Sequence, residues 1–139
     1  MSEVNLSMKE IWERWEPVQS FPKRIYLQSL IDNKNGLTLL FETEDDKTIA
    51  FNFDSGVLSY RNTDEGDLYQ TLCVLSKEYG VEFYCNWSLF KVKNSSYLNW
   101  FKKEGCGKWD NQVDVKHYVF MTSDDVVEVL SNYSPLIRL

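Results

Sequence analysis

KRIYLQSLIDNKNGLTLLFETEDDKTIAFNFDSGVLSYR, residues 23–61, sets the frame against which every other segment of the chain is placed. It divides into four short strands joined by three tight reversals. Asn35-Gly36 separates the apolar-rich run Arg24 to Ile31 from Leu37 to Phe41, and both residue types tolerate positive φ, so the dipeptide suits the primed turns whose twist matches a hairpin. Four charged residues, Glu44-Asp45-Asp46-Lys47, mark the second reversal, and Asp54-Ser55-Gly56 marks the third. Ile49, Phe51 and Phe53 alternate with Thr48, Ala50, Asn52 and Asp54, which puts three large apolar side chains on one face of a strand and leaves the other face wet. Leu37, Leu39 and Phe41 form a second such row, with Leu40 opposing it. In the first strand Tyr26 and Leu30 oppose Ile25, Leu27 and Ile31, so these two strands read as covered on both sides.

A sheet with a fully apolar face needs a layer packed on it, and the flanking sequence predicts helices that supply one. Ser7-Met8-Lys9-Glu10 has the spacing of a capping box, followed by Ile11, Trp12 and Trp15 on one stripe and a stop at Pro17. Leu68, Leu72, Leu75 and Tyr79 recur at helical spacing ahead of Gly80, a C-terminal stop. Asn94, Ser95 and Ser96 offer caps for a helix carrying Tyr97, Leu98, Trp100 and Phe101. Thr122 or Ser123, with Asp124 and Asp125 against the helix dipole, opens a last helix with Val126, Val127, Leu130 and Tyr133 inward. Strands are expected at 87–93, where Phe90-Lys91-Val92-Lys93 has the look of an edge strand blunted by lysines, and at 113–121. The expected fold is α+β in one domain of residues 1–139: an antiparallel sheet built on a four-stranded meander (about 23–61), later strands near 87–93 and 113–121, and about four helices.

Composition narrows the function. The 139 residues carry 43% apolar and 26% charged side chains, too balanced for a disordered or collagenous chain. No apolar run approaches the length of a membrane span, and the first residues lack the pattern of a signal peptide, so a cytoplasmic location is expected. Three cysteines, Cys73, Cys85 and Cys106, have neither the number nor the spacing of a disulfide framework or a zinc site. Of the net charge of −6, all lies in the first half: residues 1–70 hold 7 Lys or Arg against 13 Asp or Glu, and residues 71–139 hold 8 of each. Such a chain repels nucleic acid and anionic membranes and favours a basic protein partner.

No residue set in the sequence assembles a catalytic site. His117 is the only histidine, and its place mid-strand among valines suits a structural role better than general base catalysis. Gly105-Cys106-Gly107-Lys108 lacks the spacing of a phosphate-binding loop. The acidic groups at 42–46 and 64–67 lack the spacing of a calcium loop, so no metal or cofactor is expected. What remains are the carboxylates Glu42, Glu44, Asp45, Asp46, Asp64, Glu65 and Asp67, suited to steering a basic partner, and Trp109 on a glycine-rich loop, suited to anchoring it.

Trp87-Ser-Leu-Phe-Lys-Val-Lys-Asn-Ser-Ser-Tyr-Leu-Asn-Trp-Phe101 followed by His117-Tyr-Val-Phe-Met-Thr-Ser-Asp-Asp-Val-Val-Glu-Val-Leu-Ser131 resembles small proteins of Gram-positive bacteria, some of them immunity proteins of polymorphic toxin systems. The resemblance implies a non-enzymatic protein that neutralises a basic toxin domain by occlusion. The alternative from the residues alone is a small-ligand-binding or regulatory domain with an aromatic pocket between sheet and helices.

Overall fold

The computed structural model describes residues 9–111 and 114–139. The capping residue Ser7 and the strand start at Val113 lie outside them. The class is α+β, with nine strands in two antiparallel sheets and three α-helices among the described residues. The strands are β1 (Ile11–Arg14), β2 (Ile25–Asn33), β3 (Gly36–Thr43), β4 (Thr48–Phe53), β5 (Val57–Asp64), β6 (Leu89–Lys93), β7 (Lys116–Met121), β8 (Asp125–Ser131) and β9 (Leu136–Arg138). The helices are α1 (Tyr69–Tyr79), α2 (Glu82–Cys85) and α3 (Ser96–Glu104).

The expected meander forms only in part. β2, β3 and β4 pair in sequence order, but β9 takes the free edge of β4, and the four-stranded sheet runs β2-β3-β4-β9. The fourth strand of the stretch, β5, crosses to the second sheet, ordered β1-β6-β7-β8-β5. Gly56, at φ +84°, turns the chain there, and its carbonyl accepts a hydrogen bond from the Asn132 N–H, which aligns Val57 with Ser131 of β8. The first hairpin also differs in detail. Its reversal is centred on Lys34 and Asn35, with Asn33 Oδ1 accepting from the Asn35 N–H, and only Gly36 takes positive φ, at +102°. A Cβ on Gly36 would stand 2.2 Å from the Phe53 carbonyl oxygen, so the position excludes any other residue.

Bulges explain why the apolar pattern of β2 contradicted itself. The register slips between Leu27 and Ser29, which reverses the parity of the strand, so that Ile25, Leu27 and Leu30 all face the same core. A second slip between Val57 and Ser59 does the same for Val57 and Tyr60. That core lies between the two sheets: Phe41, Phe51 and Phe53 meet Tyr118, Phe120, Val127 and Val129. On the other face of the five-stranded sheet, α1 and α2 cover Phe90, Val119, Met121 and Val126, and α3 covers Val115 and Leu130.

Two predicted helices are strands. Residues 11–14 form β1, with Trp12 facing the helices and Trp15, beyond it, facing the sandwich core, opposite sides as an odd spacing in extended chain requires. Residues 125–131 form β8. Thr122, read as a helix cap, instead closes the β7–β8 turn: its N–H donates to the Asp125 carbonyl, and its Oγ1 accepts from the Asp124 and Asp125 N–H groups. Sandwiched between layers, Val126 to Leu130 is buried on both faces and shows no alternation to reveal a strand. The lysine-rich β6 is not an edge either, since β1 and β7 flank it.

Candidate functional site

Three turns and one strand start meet at one end of the sandwich. Ile25, at the head of β2, pairs with Thr43 at the mouth of the β3–β4 turn. The Lys23 carbonyl accepts from Ser88 Oγ, and the Ser88 carbonyl accepts from the Met121 N–H, which ties β2 to the β7–β8 turn. The Glu65 N–H donates to the Asp124 carbonyl, bringing the β5–α1 turn to the same place. A cleft of 170 Å³ opens between the head of β2, α2, the β5–α1 turn and the β7–β8 turn, lined by Lys23, Arg24, Tyr26, Glu65, Tyr84 and Ser123 among others.

The carboxylates expected to contact a partner therefore come together although they are distant in sequence. Glu44, Asp45 and Asp46 are exposed on a turn fastened by Thr43, whose Oγ1 accepts from the Asp45 and Lys47 N–H groups. Glu42 is half-buried and accepts from Gln28 Nε2. Asp64 and Asp67 are exposed, Asp64 accepting from the Gly66 N–H, and Glu65 is half-buried. Asp124 and Asp125 join them, which the sequence reading missed because it placed both at the start of a helix. These four segments hold nine carboxylates against Lys23, Arg24 and Lys47, a difference equal to the chain's formal charge of −6.

Trp109 is not part of this group. It is half-buried, its ring 5.7 Å from that of Phe101, with the Lys108 ammonium 5.2 Å from its centroid. Phe101 packs on a cluster built on Leu58 and Leu130, near the opposite ends of β5 and β8 from the acidic turns. The glycine-rich loop thus folds back on α3 instead of projecting its tryptophan. Trp100, stacked on Tyr97, is the exposed tryptophan of this helix.

His117 sits in a polar chain between the five-stranded sheet and α3. Ser95 Oγ lies 2.7 Å from Nδ1 and Glu128 Oε1 lies 2.8 Å from Nε2. Arg61 then grips Glu128 with two N–H groups, at 2.8 and 3.0 Å, while its guanidinium lies 4.0 Å above the Tyr97 ring. Burial alone pushes the Glu128 carboxyl up. The hydrogen bonds from His117 and Arg61, with their charges, outweigh it and hold the group below its ordinary value.

Serine, histidine and glutamate in a row have the composition of a hydrolytic triad, but three observations give the set a structural role. Ser95, His117 and Glu128 are 3%, 2% and 4% exposed, so little of any of the three reaches solvent. Ser95 Oγ is already the N-cap of α3, accepting from the Leu98 N–H. The neighbouring helical N–H, that of Ser96, is occupied by the Glu10 carboxylate and offers no oxyanion site. Both ring nitrogens are satisfied: Nε2–H donates to Glu128, and Nδ1 shares a hydrogen bond with the Ser95 hydroxyl.

Among the described residues, no group of three or more His, Cys, Asp or Glu is placed to hold a metal, and no helix is long and apolar enough to cross a membrane. The aromatic residues that could line a ligand pocket are spent on one another: Phe120 alone packs with Trp15, Phe41, Phe51 and Phe53. Comparison with protein-family models, with curated proteins and with solved structures gives no match to this chain.

Proposed function

We propose that the chain is a non-enzymatic binding protein of the cytoplasm that neutralises a basic protein, a toxin domain, by covering its active surface. The observation that carries this reading is the convergence of the acidic turns at one end of the sandwich. A surface with nine carboxylates against three cations steers a cationic partner in from solution and repels polyanions. Glu42, Glu44, Asp45, Asp46, Asp64, Glu65 and Asp67 make the contact face, with Asp124 and Asp125 added to it. Trp109, held against Phe101, is assigned to packing.

Affinity capture from the native host, followed by mass spectrometry, is expected to return a stoichiometric basic protein. With that partner, Asp45→Lys combined with Asp46→Lys should slow association by on the order of tenfold at low salt, while wild-type association slows as ionic strength rises. Both positions are exposed and off the core, so the variant remains folded. An association rate indifferent to salt and to the double reversal would remove the acidic end from recognition. The non-enzymatic part is tested with a fluorophosphonate probe. Ser95 should remain unlabelled, and covalent labelling at Ser95 would return the chain to the hydrolases.

A further inference from the structure

At the far ends of β6 and β7 from the acidic turns, the two strands part. Their ladder stops at Val92 paired with His117, and beyond it Lys116 pairs with Ser131 of β8 instead. A cleft of 480 Å³ opens there, with Lys91, Lys93 and Lys116 on its wall, the buried Ser95 and His117 behind it, and Glu13 as its one carboxylate among the described residues. Val92, Leu98 and Val115 supply an apolar side, and Asn94 stands at the rim with φ +54°.

The three ammonium groups are unequally balanced. Lys93 has the counter-charge, at 3.4 Å from Glu13 Oε2. Lys91 rests on aromatic faces, its Nζ 5.5 Å from the Trp15 centroid and 5.6 Å from that of Tyr118. Burial first, and then the charge of Lys116, hold its ammonium below the ordinary value, while Glu13 acts weakly in the other direction. Among the described residues neither Lys91 nor Lys116 forms an ion pair. Two like charges held together at the wall of a concave site form an arrangement that an added anion relieves.

We propose that this cleft binds a compact oxyanion, the phosphate group of a small phosphorylated molecule, between Lys91 and Lys116. The volume exceeds what a phosphate needs, and the apolar side at Leu98 and Val115 accommodates a short carbon skeleton. The site is separate from the acidic end, so it stands or falls independently of the protein partner.

The test is thermal unfolding of the full chain in inorganic phosphate against chloride at matched ionic strength, repeated with glycerol phosphate. A ligand that binds only the folded chain raises its unfolding midpoint with the logarithm of its concentration above the dissociation constant, and the rise expected at a few times that constant is on the order of 3 °C for a chain of this size. Lys116→Gln, at an exposed position, should abolish most of that rise, and Lys34→Gln, an exposed lysine in the β2–β3 turn, should leave it intact. Equal midpoints in phosphate and chloride would overturn the proposal, as would a rise that survives Lys116→Gln. Co-sedimentation with phosphatidic acid vesicles, without a response to either soluble phosphate, would overturn it in favour of a lipid headgroup.

Discussion

Glu128→Ala is expected to lower the stability of the fold by about 3–5 kcal/mol, the cost of stripping one member from a buried charged network. Two partners lose their acceptor together. His117, 2% exposed, is left with a buried Nε2–H that no other described group reaches. The Arg61 side chain is half-exposed and turns to water, so most of the loss belongs to the histidine contact. Urea unfolding of the two proteins at neutral pH measures the difference, and a loss below about 1 kcal/mol would show that the network contributes little. Glu128→Gln separates charge from shape. The carboxyl of Glu128 is held below its ordinary value of 4.5 in the folded chain, so between those two values the unfolded chain binds more protons. Its contribution is complete above the ordinary carboxylate range and is lost as pH falls through the lower, folded value. The stability gap between wild type and Glu128→Gln should therefore narrow as the solution is acidified below about pH 4.5, whereas a gap constant down to pH 2 would contradict the assignment.

Phe120→Ala should cost a similar amount, about 3–5 kcal/mol, by a different mechanism. Its ring is fully buried and central to the inter-sheet core, with ring centroids of Phe51 at 4.9 Å, Phe41 at 5.6 Å, Trp15 at 6.1 Å and Phe53 at 6.3 Å. Those neighbours come from β3 and β4 of the facing sheet and from the segment after β1, and residues anchored in separate segments cannot all close on the void. The denaturation midpoint should fall with the slope unchanged. A loss near that of a surface substitution would mean that the core collapses around the cavity. Unlike Glu128→Ala, this variant should show no added pH dependence, because the rings packed on Phe120, those of Trp15, Phe41, Phe51 and Phe53, do not titrate.

The sequence disclosed what was amphipathic and concealed what was covered on both sides. β3 and β4 alternate cleanly because one face of the four-stranded sheet is open, and α1 and α3 show helical stripes because one face of each is wet. β8 has neither signal: Val126 to Leu130 is apolar on both faces except Glu128, a pattern as compatible with a buried helix. Its three valines were the clue that outweighs the Thr-Ser-Asp-Asp cap pattern, since β-branched side chains favour extended chain. Bulges hid the facing of β2 and β5, and nothing local in Val57 to Asp64 announces that β5 leaves its neighbours for the other sheet. The acidic candidates were legible as residues but not as a group, because their convergence depends on that crossing. The lysine cleft was illegible for a different reason: Phe-Lys-Val-Lys reads as an edge, and only the pairing of β6 with both β1 and β7 puts its lysines beside Lys116.

The crossing of β5 also governs how the chain can fold. The β2–β3–β4 hairpins join neighbours and can close through short loops, but Arg61 finds Glu128 across 67 positions, a loop that must lose its entropy before any contact there repays it. One hairpin is therefore a local event and the five-stranded layer a distant one. Since each layer supplies the other's apolar wall, the late step completes both, and the two sheets form as one cooperative unit.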